Sequence, residues 1–450
     1  MRKISFINMY MFFPALLAVL ALLASIPASA EQPLGKRILL ENGMVLLLSE
    51  RHEIPMVTVN MAIRAGSTAA PEDKPGLAAI TASLLMQGTK KRTANQIHEL
   101  IDFIGGSLST SGGEDFAWAN LRVLKKDIRT GLDLLSDVLL HPLFDQKEID
   151  RKVKETLAEI RRQKEEPAIV ANQAFTKAVF GGHPYGRTND EVAGYLPKLT
   201  QEDIIDFYST RYSPANTIIA VVGDVSEKEI VDLLNDYFRG WQTNARPLPA
   251  EVPLPVIDKT VVKKIDEDVA QANIDMGHVG ISRENPDFYA VVVMNYILGG
   301  GGFSSRLMDN IRDNKGLAYD VRSGFSAQKD PGAFKVTIQT KNESANEVIY
   351  ETQKEIRRIQ KELVSEKELA DAKAYLSGSF PLRMDTYAKI ASMLTSIEIY
   401  NLGLDYPKKY AALINGVTRE DVRRVAREYL HPDKMVIVVV ANLKKAKLIY

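Results

Sequence analysis

Apolar and polar positions alternate through Val57, Val59, Met61 and Ile63, the period of a half-buried strand. An apolar helical stretch around Ala79 follows and ends near Gly88. The same order returns later: alternation through Ala272, Ile274 and Met276, then an apolar helix from Phe288 to Leu298 stopped at Gly299, with further strand pattern at Phe334, Val336 and Ile338. A direct repeat supports this reading. Thr200-Gln201-Glu202-Asp203 reappears 218 residues on as Thr418-Arg419-Glu420-Asp421, and Pro214 as Pro432. The apolar run Ile218 to Val222 returns at the same offset as Val436 to Val440. Each copy predicts a Thr-capped amphipathic helix, a Pro-marked turn and a buried strand. The expected fold is α+β, with two homologous domains, each a mostly antiparallel sheet with helices packed on one face.

The ends of these copies divide the chain. Residues 1–30 read as a signal peptide: Arg2 and Lys3 precede an uncharged apolar run, and Ala28-Ser29-Ala30 forms a small-residue cleavage site. The rival reading is an uncleaved anchor, since no charge appears from Ile4 to Ala30; Pro14, Pro27 and the small-residue site favour cleavage. Residues 31–245 form the first domain and 259–450 the second. The intervening segment, residues 246–258, carries Pro247, Pro249, Pro253 and Pro255 and predicts an extended spacer holding the domains apart. Export, with the periplasm as destination, is the expected localisation. No later segment is apolar enough to span a membrane. With 57 Lys and Arg against 57 Asp and Glu, nothing points to nucleic acid. The absence of Cys excludes a lipid-modified cysteine anchor.

Gly76 to Thr89 has the frame G-x-A-H-x-x-E-H-x-x-x-x-G-T, with Ala79, Ala82 and Ser83 where that frame has His, Glu and His. Other segments fall in order along the chain: Leu40-Glu41-Asn42-Gly43, Arg64-Ala65-Gly66-Ser67, His183-Pro184-Tyr185-Gly186-Arg187, Gly300 to Leu307, and Gly316-Leu317-Ala318-Tyr319. Together they resemble the pitrilysin/insulinase (inverzincin) zinc metallopeptidases, in the branch of the mitochondrial processing peptidases and paired bacterial periplasmic peptidases. In active members the two His hold zinc and the Glu is the general base. Ala79, Ala82 and Ser83 can do neither. Glu159 sits where the family has its third ligand, but it reads more simply as an exposed partner of Arg162. The six histidines lie at least 42 residues apart, without ligand spacing, and read as surface or capping residues. The expectation is no metal and no cofactor in this chain.

The second domain keeps more. Ser304 and Ser305 predict a cap, Leu307, Met308 and Ile311 an apolar helix face, and Gly316 a helix stop. A strand with Leu317, Tyr319 and Val321 on one face should follow. The resemblance implies that Arg312 and Tyr319 are catalytic, contacting the substrate carbonyl and backbone, and that Gly300, Gly301, Gly302 and Phe303 help to bind substrate. It also implies the function: the non-zinc subunit of a heterodimeric zinc metallopeptidase acting on extended peptides or unfolded proteins. Its partner would be a homologous subunit with an intact H-x-x-E-H and the zinc. The alternative is a catalytically inactive peptidase-like binding or assembly protein.

Overall fold

The computed structural model describes residues 33–241, 246–247, 249 and 252–450. The expected signal peptide, residues 1–30, lies outside these, as does part of the Pro-rich segment. Eleven strands form two sheets among the described residues. In the first half these are β1 (Lys36–Leu39), β2 (Val45–Glu50), β3 (Met56–Ile63), β4 (Ser107–Gly112), β5 (Ala117–Leu124) and β6 (Thr217–Gly223), in the order β1-β2-β6-β3-β5-β4. The second half has β7 (Val261–Asp266), β8 (Gln271–Val279), β9 (Ala318–Phe325), β10 (Ala333–Lys341) and β11 (Val436–Ala441), in the order β7-β11-β8-β10-β9. Only β2 with β6 and β7 with β11 pair in parallel. The mostly antiparallel α+β plan in two copies is therefore present.

The repeat is visible in local chemistry. The Gln201–Arg211 and Arg419–Tyr429 helices each open with a capping box, Thr200 with Asp203 and Thr418 with Asp421. Each leads to a strand buried along its whole length, β6 and β11. Such strands lack alternation because both sheet faces are covered.

That cover is reciprocal. The Pro167–Phe180 helix of the first half lies on the second sheet, with Ala171, Phe175 and Val179 against Val436, Val438 and Val440. The Tyr387–Ile399 helix of the second half lies on the first sheet, with Ile390, Ala391 and Leu394 against Leu47, Ile218, Ala220 and Val222. Polar contacts seal both interfaces: Thr395 donates to Asn60 at 2.7 Å and Lys335 to Asn172 at 2.7 Å. The expected spacer is thus corrected. The halves interlock through one helix each, and Leu254 and Ile257 of the connecting segment pack against the same apolar cluster.

Candidate functional site

The helix with the zinc-peptidase frame runs from Leu77 to Leu84. Ala82 is fully buried in the core, and the Ser83 hydroxyl donates to the Ile80 carbonyl at 2.8 Å. Ala79 is exposed, with β4 packed so closely beneath it that a Cβ on Gly112 would lie 2.6 Å from the Ala79 Cα. Glu159 is held by Arg162 at 2.6 Å and by Gln163 at 2.9 Å. These residues do not fit zinc: two methyl groups, a hydroxyl already engaged in its own helix, and a carboxylate paired elsewhere. Among the described residues no three His, Asp or Glu side chains converge as a metal site would require. His183 is a capping residue, its Nδ1 accepting the Tyr185 N–H at 3.2 Å. His278 is neither at the surface nor a cap: it is buried, and burial pushes its imidazole down to about 4.

In the second half, the structure gathers most of the candidate residues into one groove of about 390 Å³. The Phe288–Asn295 helix widens at Tyr296–Gly300, then passes through a tight turn at Gly302–Ser304. Gly299 has to be glycine, because a Cβ there would lie 2.5 Å from the Ser323 hydroxyl of β9. Gly300, Gly302 and Phe303 line the groove. Gly301 does not: it lies on Tyr296, whose carbonyl would be 2.7 Å from an added Cβ.

The expected serine cap is also replaced. Ser305 donates its hydroxyl to the Gly302 carbonyl at 2.7 Å, tying the segment back to the glycine run. From Met308 to Asn314 the chain is wound with i→i+5 hydrogen bonds, a rare geometry that recurs at functional sites. It closes at Gly316, φ +63°, where the N–H groups of Gly316 and Leu317 reach the Arg312 and Ile311 carbonyls at 2.9 Å each.

Tyr319 departs from simple alternation. Asp320 pairs with Gln339 and Ala318 with Thr340, leaving Tyr319 without a residue opposite it. This β-bulge turns Tyr319 outward while Val321 stays in the core, so the two do not share a face. Tyr319 is 52% exposed and Phe303 69%. The Arg312 guanidinium stands over the Phe303 ring at 4.8 Å, and its nearest carboxylate is that of its neighbour Asp313 at 3.5 Å. The groove therefore presents a phenol and a guanidinium over a glycine floor, donors suited to an oxygen that gains negative charge.

The first half shows what is special here. Gly105, φ +61°, closes the Ala94–Phe103 helix as Gly316 closes the second-half segment 211 positions later. Sheet register, followed strand by strand, sets Leu108 against Val321, and both are buried core. Tyr319 falls at the bulge, outside that register.

A second polar cluster joins the halves. The Tyr185 hydroxyl lies 2.9 Å from Asp115 and receives the Asp330 N–H at 3.4 Å. His183 lies 3.6 Å from the Asp330 carboxylate. Arg187 donates to the carbonyls of Ala70 and Pro71 at 3.0 and 2.8 Å. Tyr185 thus ties the turn before β5 to the turn before β10, and Arg187 ties the 183–187 segment to the Ala70–Pro71 turn.

Sequence models of one peptidase family match the chain in two parts. The model described as insulinase (peptidase family M16) covers residues 45–189, and that described as peptidase M16 inactive domain covers residues 198–376. The chain is 25% identical over 351 residues to the zinc protease YmxG of Bacillus subtilis, covering 78% of this chain and 85% of that one. It is 25% identical over 417 residues to a probable mitochondrial-processing peptidase subunit beta of Arabidopsis thaliana, covering 90% and 78%. The crystal structure of a peptidase M16 inactive domain from Pseudomonas fluorescens superposes with a TM-score of 0.84 at 29% identity, covering 90% of this chain and 98% of that one.

Proposed function

Because this chain belongs to the insulinase peptidase family, M16, we propose that it is the non-zinc subunit of an exported, heterodimeric zinc metallopeptidase of the periplasm. A homologous partner with an intact H-x-x-E-H supplies the zinc, its ligands and the general base. This chain supplies half of the chamber wall, together with Arg312 and Tyr319. The substrate is an extended peptide or an unfolded protein. It runs past Phe303, where Gly300 and Gly302 leave room for a backbone, and its main chain adds to a sheet edge. Arg312 and Tyr319 then donate to the carbonyl oxygen as it gains negative charge.

One observation carries this reading. The half with the zinc-peptidase frame has filled it with Ala79, Ala82 and Ser83, while the other half opens Arg312 and Tyr319 into a groove through a widened helix and a bulge. Both irregularities are enriched at functional sites. The test is turnover by the assembled pair. Arg312→Ala and Tyr319→Phe should each lower kcat on the order of 10²-fold, the scale of one lost oxyanion donor. Unchanged turnover would reduce the groove to a structural feature and leave the binding or assembly role.

A further inference from the structure

We infer that Asn310 is the positioning residue that holds Arg312 in the groove, through two buried glutamates of the neighbouring helix. The Asn310 side-chain amide donates to Glu351 at 3.1 Å and to Glu355 at 3.0 Å. Both carboxylates, on the Ala345–Lys361 helix, are only 4% exposed. Lys315 closes the far side with a 2.7 Å ion pair to Glu351. At the other end, buried Arg306 forks onto Glu368 at 2.6 and 3.1 Å. Burying two carboxylates side by side is costly unless each is paired, so a fold that keeps them there constrains whatever pairs with them.

What they constrain is the winding. The corresponding first-half helix, Ala94–Phe103, is an ordinary α-helix closed at Gly105. The contacts of the two segments also differ. At the offset of 211, Asn310 corresponds to Glu99, which is exposed. In a turn closing i→i+5, residues four apart come closer to eclipse than in an α-helix. Met308 and Arg312 both line the groove in this geometry, while Ile311 is in the core. Relaxation to α winding would swing Arg312 some tens of degrees around the axis relative to Met308, so that the two would no longer face the same groove.

The structural part of this inference stands on the geometry alone; its consequence for turnover rests on the function proposed above. The test uses the full chain labelled with ¹⁵N-arginine, with the Arg312 side-chain resonance assigned by Arg312→Lys. In the wild type that N–H should be shifted upfield by the Phe303 ring. Asn310→Ala should abolish the shift, and Glu355→Ala should do the same by cutting the contact from the other side. Glu355→Gln, whose carbonyl oxygen still accepts from Asn310, should retain it. A ring-shifted Arg312 in folded Asn310→Ala or folded Glu355→Ala overturns the inference, as does a wild-type resonance without the shift. In the active pair Asn310→Ala should lower kcat toward the Arg312→Ala value, with KM changed less than threefold, and Glu355→Gln should lower it far less than Glu355→Ala does. If the shift is lost while turnover stays normal, Asn310 positions Arg312 as inferred and it is the catalytic role of Arg312 that fails.

Discussion

The guanidinium of Arg312 stands 4.8 Å from the centre of the Phe303 ring, linking the helical wall of the groove to its glycine-rich rim. A cation over a ring face at an exposed site is worth about 0.5–1 kcal/mol. Phe303→Leu keeps apolar bulk and removes the ring. In the assembled peptidase it should lower kcat/KM roughly two- to fivefold, as that energy implies. Steady-state kinetics on an unstructured peptide measures this, and an unchanged kcat/KM would separate Phe303 from the substrate path.

Phe175 tests the interlock. It is 1% exposed, on a first-half helix buried against the second sheet. Phe175→Ala should destabilise the chain by about 3–5 kcal/mol through lost burial and the cavity left behind. Because each half covers the other's sheet, urea unfolding of the wild type should be a single transition by both far-UV circular dichroism and tryptophan fluorescence. Both native tryptophans, Trp118 and Trp241, lie in the first half. Two separated transitions would mean that the halves are independent.

The buried His278 predicts the acid limb of stability. Its Nδ1 lies 2.8 Å from the Val279 carbonyl, and its Nε2 accepts the His431 N–H at 3.1 Å, so the neutral ring satisfies both neighbours. A proton on Nε2 would face a donor. With the folded-state value pushed down from 6.5 to about 4, the unfolded chain binds more protons between these limits. This contribution is fully present above pH 6.5 and is lost as pH falls toward 4. The loss is about 3 kcal/mol, at 1.36 kcal/mol per unit. His278→Gln should be less stable at pH 7 and should flatten the decline between pH 6.5 and 4 in urea titrations. An unchanged slope would assign the acid limb to other groups.

How far these features could be read in advance follows from their range. The doubled architecture was legible because capping boxes such as Thr200 with Asp203 and Thr418 with Asp421 are local, and because β6 and β11 are apolar on both faces. Which sheet the Pro167–Phe180 helix covers was not legible. Its apolar stripe, Ala171, Phe175 and Val179, fits either one. Arg312, Tyr319 and Phe303 could be singled out as candidates because short motifs carry them. The bulge that turns Tyr319 outward was hidden, since it exists only in the pairing of β9 with β10. Asn310 was missed for a similar reason: its partners lie 41 and 45 residues away on a separate helix.

The most direct measurement of the central claim is zinc content and peptide cleavage for three samples: this chain alone, the homologous H-x-x-E-H subunit alone, and the two combined. The account predicts no stoichiometric zinc and no cleavage for this chain, zinc in the partner, and efficient cleavage of an unstructured peptide only by the combination. Stoichiometric zinc or cleavage by this chain alone would contradict it, as would full activity of the partner without this chain.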